Sequence, residues 1–434
     1  MKKYFLIIMI FQSLISCTQN TNKKDITKSE YLASNLVIKN VAVINMVTNK
    51  AIKNQDVVVK AGKIISIANA QEQDYKNMVV IDGSGKYMMP SLTDAHVHLP
   101  KNESDLERFF ILNLINGVTK VRSMRGDWKH LEWREKYNTE TSVYPKLYLS
   151  APAISRRDDF SSEELQEFIE NARDFDFVKI LSIKNETLFK MLDSLCEVNE
   201  IKIGGHFPSN LTDAQIFKSS YASFEHLGGL TGQSELLENR LQEIKKKTIF
   251  ICPTLSWYSV GSGRYSYEEL RTQPGMQYVS KEMVNSWIEK TKQYRDKLGA
   301  KAYREEVNIE LGKLDEKYLI IKKLNELGVK MLLSPDSSSK YMVAGFGVVG
   351  EMELLKNAEL SNFEILKMAT VNFSDLFKED YGTIEAGKEA EFILLNDNPL
   401  ENINTLKTIE GVFFNENYLS KDALNKLSES ILPN

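Results

Sequence analysis

The chain is poor in cysteine, with three in 434 residues. No CxxC occurs, so neither a disulfide framework nor a cysteine-rich metal module is encoded. It also lacks a basic excess: 55 Lys and Arg stand against 59 Asp and Glu, a formal charge of −4, so no basic excess pulls the chain toward nucleic acid. No internal repeat or low-complexity tract is present, and 42% apolar with 26% charged residues excludes wholesale disorder, collagen and coiled coil. Several catalytic signatures are missing or incomplete. GxSxG and HExxH are absent. Gly382–Lys388 matches GxxxxGK, but Glu389 follows where a phosphate loop needs Ser or Thr, and the next segment reads as a strand. Ser337–Lys340 matches SxxK without the companion elements of serine acylases. Histidine is scarce, at five residues, so the positions it occupies are informative.

The first seventeen residues, MKKYFLIIMIFQSLISC, combine Lys2 and Lys3 with an apolar run from Tyr4 to Ile15. That run is too short for a permanent bilayer span and reads as a secretory signal. Leu14–Cys17 resembles a bacterial lipoprotein box. The resemblance implies cleavage before Cys17, lipidation of its thiol, and a lipid-anchored place in the bacterial cell envelope, periplasmic or at the surface. Contact with the membrane would run through that lipid alone. Residues 18–34 are polar and read as a tether. An oxidising compartment would permit Cys196 and Cys252 to pair; they read rather as two buried thiols.

From residue 35 to 90, β-rich runs with Gly at turns predict a small antiparallel unit, Ala61-Gly62 forming a hairpin turn. Between 91 and 379 eight apolar β runs alternate with amphipathic helical segments: 92–99, 118–124, 146–151, 175–182, 201–207, 222–227, 248–255 and 329–336. The fold class is therefore α/β, with the arithmetic of a (β/α)8 TIM barrel. The connection 256–328 is long and mostly helical. Residues 380–434 return to β character and would join 35–90 in one β-sandwich domain built from both chain ends.

Four histidines fall in or at the ends of barrel runs. His96 and His98 alternate on the first strand and so point to one face, within reach of one metal ion. His206 ends the fifth run, His226 the sixth and Asp336 the eighth, where barrel active sites sit. Lys179 lies in FVKI among apolar neighbours. The fifth histidine, His130, sits in the charged stretch DWKHLEWREKY and reads as solvent-facing.

PSLTDAHVH, FVKI, GGH, FEH, SPD and GTIEAGKEAEFILLNDNPL together resemble the metal-dependent amidohydrolase superfamily over nearly everything after the tether. The lysine on strand four points to the binuclear branch of Xaa-Pro dipeptidases and imidazolonepropionase-like proteins. The resemblance implies two divalent metal ions, most simply zinc. His96, His98 and Asp336 would hold one, His206 and His226 the other, and a CO2-derived carbamate on Lys179 would bridge them. It implies a metal-bridging hydroxide attacking an amide, with Asp336 as general base and acid.

Ser91, Ser123, Glu391 and the loop SRRDDF (155–160) depart from the family pattern, which puts substrate identity rather than chemistry in question. Candidate contacts to a substrate carboxylate are Arg122, Arg125, Arg156, Arg157 and Tyr258. The expected function is hydrolysis of a C–N amide bond in a dipeptide, an N-acyl amino acid or a cyclic amide. A homo-oligomer is left open. Two alternatives are a mononuclear deaminase of an aminated ring and a non-catalytic binding lipoprotein. IKIGGHFPSN lacks the carboxylate that deaminase branches carry near strand five, and filled ligand positions argue against a retired barrel.

Overall fold

The computed structural model describes residues 34–433 except 72, 73, 141 and 233. The signal segment, Cys17 and most of the tether lie outside the described residues. Among the described residues, no helix is long and apolar enough to cross a membrane.

Strands β1 (Asn35–Ile44), β2 (Ala51–Lys60) and β3 (Lys63–Asn69) form an antiparallel meander. Ala61 and Gly62 join β2 to β3 with φ of 45° and 69°, the two positive values that a tight hairpin turn requires. Short strands β4 (Val79–Asp82) and β5 (Tyr87–Pro90) run parallel to β1. Leu36, Ile38, Val57, Val59, Ile64 and Met88 fill the core of this unit.

The next seven strands are parallel. A three-stranded sheet holds β6 (Leu92–Val97), β7 (Val118–Ser123) and β8 (Lys146–Leu149). A four-stranded sheet holds β9 (Phe177–Ile180), β10 (Lys202–Gly205), β11 (Tyr221–Glu225) and β12 (Phe250–Cys252). Every residue of β6 and β7 is buried, as expected where helices cover parallel strands. Single parallel bridges, Ser150 to Phe177 and Ile154 to Ile180, join the two sheets.

The eighth run, 329–336, does not form a strand. It lies between β12 and β6 through the bridges Ile251–Met331 and Val97–Ser337, and the Ala95 amide donates to Leu333. Pro335 has no N–H to give, and Asp336 turns to φ 66°, so a regular ladder cannot continue. The strand succession thus returns to β6 through isolated bridges rather than a full ladder. The 256–328 connection is mostly helical as expected, chiefly Lys281–Leu298 and Ala300–Glu326.

Strands β13 (Phe392–Leu395), β14 (Ile409–Phe414) and β15 (Asn417–Ser420) follow. Because β13 pairs antiparallel with β5, strands from both chain ends share one eight-stranded sheet, ordered β15-β14-β13-β5-β1-β2-β3 with β4 beside β1. Ser91 and Glu391 are linked through residues of β7. Ser91 Oγ lies 2.6 Å from Thr119 Oγ1, which donates to Glu391 at 3.1 Å, and Glu391 also pairs with buried Lys120. The GxxxxGK segment docks on β3, the Gly387 amide donating to Ile64 at 2.7 Å. Cys196 and Cys252 are free and buried.

His130 is not solvent-facing. It is 3% exposed and packs on Trp133 at 4.8 Å between ring centroids. His130, Trp133 and Tyr137 recur at i, i+3 and i+7, an inward stripe hidden among the charges of that helix.

Candidate metal centre

The six residues expected to form the site are brought to one end of the parallel strands. His96 Nε2 lies 3.8 Å and His98 Nε2 3.3 Å from Asp336 Oδ1. One donor atom from each of these three residues fits within a 4.8 Å span. Lys179 Nζ is 3.2 Å from His96 Nε2. The imidazoles run in series: His98 to His96 5.7 Å, His96 to His226 5.0 Å, and His226 to His206 5.0 Å between centroids.

Local backbone geometry sets these positions. His226 and Asp336 follow their strand runs with φ of 64° and 66°, left-handed values uncommon outside glycine. Both residues are thereby bent out of extended backbone at the place where their side chains meet the others, and such outliers cluster at functional sites. Gly205, before His206, has φ 138°, and a Cβ there would collide with the Ile180 carbonyl oxygen.

Burial dominates the electrostatics. It holds His96 well below the usual imidazole range, lowers His98 to about 4 and His226 to about 3, and lowers His206, with the Lys179 charge acting the same way. At neutral pH the four imidazoles are neutral, the form that binds metal. Burial pushes Lys179 down against the pull of Glu225 and Asp336, and pushes Asp336 up against the pull of Lys179. Asp336 Oδ1 is buried without a hydrogen-bond partner.

Two of the rings are aimed by partners behind them. Thr254 Oγ1 donates to the Pro253 carbonyl at 2.8 Å, so it accepts from His226 Nδ1 at 2.6 Å. That leaves Nε2 of His226 as the free acceptor. His96 Nδ1 lies 2.8 Å from Glu225 Oε2. Glu225 and Cys252 form a second close group with His96. Both oxygens of Glu225 are already engaged, Oε1 by Arg122 at 2.7 Å and Ser223 at 2.7 Å, Oε2 by His96. Glu225 therefore stands behind the ring rather than among the candidate ligands.

This corrects the reading of Arg122. It is fully buried, and its Nε donates to the Ala95 carbonyl at 2.6 Å and its Nη1 to Ser223 at 2.9 Å. With its guanidinium engaged beneath the histidines it cannot meet a substrate. The other candidate contacts are reachable. Arg125, Arg156 and Arg157 are exposed, and Arg125 is near enough to depress His98. The Arg156 amide donates to Ser182 Oγ at 2.9 Å. Tyr258 accepts from the Leu227 amide at 3.2 Å and lines a cavity of about 380 Å3 with His206, His226, Phe207, Leu181, Ser182 and Trp257. A larger cavity of about 820 Å3, among Arg271, Met276 and Lys281, is lined by none of the site residues.

Sequence reasoning missed Glu225, Thr254, Trp257 and Glu351. Glu351 is buried and accepts from the Leu255 and Ser256 amides at 2.7 and 2.6 Å, pinning the turn that carries Thr254 and Trp257. Glu225 had a signal, since it alternates with Ser223 on β11 and so faces inward. Glu351 lies 96 residues from Leu255 in an unrelated segment and had none.

Comparison with known proteins gives two kinds of likeness. Residues 273–418 match the Amidohydrolase family. An adenine deaminase of Clostridium perfringens is 36% identical over 86 residues, 20% of this chain, so the chain spans only 15% of that relative's length. Among solved structures, bottromycin amidohydrolase superposes with a TM-score of 0.75 at 19% identity, covering 94% of this chain and 91% of that one. A Xaa-Pro dipeptidase with bound methionine gives 0.67 at 15% identity, covering 89% and 100%. The family match is thus confined to residues 273–418, and over most of its length the chain is similar in its α/β fold to these solved structures.

Proposed function

We propose that this chain is a metal-dependent hydrolase that cleaves a C–N amide bond in a small molecule or dipeptide. The observation that carries the reading is the convergence of His96, His98 and Asp336, with Asp336 Oδ1 buried and unpartnered. Neutral imidazoles and a carboxylate suit zinc and its neighbours. His96, His98 and Asp336 would hold one ion and His206 and His226 a second. Lys179, its amine joined to CO2 with loss of one proton, would offer carboxylate oxygens to both. When bound, such a pair supplies Lewis acidity and lowers the pKa of a shared water.

The remaining work belongs to side chains. Asp336 accepts the proton of the attacking water and passes it to the departing amine. Leu181, Phe207 and Trp257 give the adjoining cavity an apolar wall, while Ser182 and Tyr258 add hydroxyls that orient a polar substrate group. Lipidation at Cys17 and a place in the bacterial cell envelope complete the proposal. Cys17→Ser would move the protein from the membrane to the soluble fraction.

The test is amine release by the purified chain, with zinc and bicarbonate, from dipeptides including Xaa-Pro, N-acyl amino acids and cyclic amides. Asp336→Asn should lower turnover by about 10²–10⁴-fold, the usual worth of a general acid–base. Turnover undiminished in that variant refutes the mechanism. A mononuclear deaminase is the second reading, favoured by the segment 36% identical to adenine deaminase. Ammonia release from an aminated purine, one metal per chain, and indifference to Lys179→Ala would select it.

A further inference from the structure

We infer that Glu225, clamped by Arg122, is the positioning residue that fixes His96 as its Nδ1–H tautomer and aims the Nε2 lone pair into the candidate metal centre. This rests on the metal-site reading above and deepens it.

Three strands meet at one guanidinium. Arg122 projects from β7 and donates to Glu225 and Ser223 on β11, and to the carbonyl of Ala95 on β6. Ala95 immediately precedes His96. The same group therefore ties down both the carboxylate and the backbone beside the imidazole. Ser223 adds a bond to Glu225 Oε1 at 2.7 Å. Arg122, Ser223, Glu225 and His96 are at most 1% exposed, so bulk water does not compete.

The tautomer follows from donor and acceptor capacity. An ionised carboxylate only accepts, so Oε2 requires a proton on His96 Nδ1. A neutral ring carries one N–H, which leaves Nε2 unprotonated. Nε2 is the atom that faces Lys179 Nζ at 3.2 Å and Asp336 Oδ1 at 3.8 Å. If Glu225 served only to neutralise Arg122, Oε1 would suffice. Its second oxygen is spent on the histidine alone. Carboxylates behind metal-bound histidines set ring orientation and basicity, and their loss typically costs about 10–100-fold in metal affinity.

Glu225→Gln gives a sharp outcome. Arg122 and Ser223 donate, so they retain the amide oxygen and turn the NH2 group toward His96 Nδ1. That NH2 needs an acceptor. The ring should then switch to the Nε2–H tautomer, placing a proton where the lone pair was.

The experiment is nitrogen-15 NMR of the full metal-free chain labelled at histidine, with only five histidines to resolve and His96→Gln for assignment. A zinc titration against a chelator of known affinity accompanies it. In the wild type, a His96 Nδ1–H signature is expected, and an Nε2–H signature overturns the inference without any variant. In Glu225→Gln, the tautomer should switch and zinc affinity should fall about 10–100-fold. An unchanged tautomer and affinity in the folded variant overturns the inference. Should Glu225→Gln not fold, Ser223→Ala keeps the carboxylate and should retain both tautomer and affinity; a switched tautomer there overturns the role of Glu225. If the wild type binds no zinc yet the tautomer switches as expected, the metal reading falls and the hold of Glu225 on His96 stands.

Discussion

Replacing Arg122 with alanine tests the clamp through stability. The side chain is fully buried and gives up three hydrogen bonds, to Ala95, Ser223 and Glu225. The larger effect is on what remains, because Glu225 becomes a buried carboxylate that has lost its directly paired guanidinium. Breaking a buried pair from one side costs about 3–5 kcal/mol. An unfolding entropy of about 2.1 cal/mol/K per residue, over roughly 400 residues, amounts to about 0.8 kcal/mol/K, so Tm should fall by about 4–6 °C. Differential scanning calorimetry at pH 7 measures this, with the exposed Arg156→Ala as a control expected within about 0.5 kcal/mol of wild type. The double variant Arg122→Met/Glu225→Gln removes both charges. It should be less destabilised than the sum of its single changes, by roughly 1–3 kcal/mol. An Arg122→Ala Tm within a degree of wild type, or strict additivity in the double variant, would refute the account. A residue that met only substrate would instead raise KM and leave Tm alone.

Three further outcomes are expected. Gly205→Ala should lower the urea unfolding free energy by at least about 2 kcal/mol, since φ 138° is strained for alanine and the Cβ meets the Ile180 carbonyl; an unshifted midpoint would contradict this. His130 is held neutral by burial, its pKa lowered from 6.5 to about 4. The unfolded chain then binds the proton first, so the stability His130 contributes is complete above about pH 6.5 and is lost as pH falls toward 4, by up to about 3 kcal/mol. His130→Phe should flatten the stability profile in that window, and parallel profiles would sink the argument. Trp257→Ala should raise KM about tenfold with kcat nearly unchanged, because the ring forms a wall of the cavity and takes no part in proton transfer. A fall in kcat alone would point to a different role.

What the sequence made legible was what local chemistry encodes. His96 and His98 share a face because strands alternate. His206, His226 and Asp336 stood out because each ends an apolar run. The Ala61-Gly62 turn was readable because a glycine stands between two β-rich runs, although alanine is an unusual residue at a positive φ. What escaped depends on contacts between distant segments. Arg122 looked like a ligand contact because a cation near a catalytic face usually meets solvent. Only the approach of β11 to β7 supplies the carboxylate that buries it. The run ending at Asp336 looked like a strand by composition, but Pro335 and the left-handed turn at Asp336 break its ladder. His130 was misread because the charges around it outnumber the inward stripe.

The pairing of β13 with β5 bears on how the chain comes into being. Pro90 finds its partner Phe392 some three hundred positions later. At about 5–20 residues per second, that interval lasts roughly 15–60 s on the ribosome. Throughout it, β5 presents an unpaired edge of buried, apolar residues, the kind of surface that recruits other chains. The amino-terminal strands must therefore wait for the carboxyl-terminal ones. Newly made protein would be most prone to aggregate in that interval, and shortening the carboxyl-terminal return should impair solubility even when every residue of the metal centre is intact.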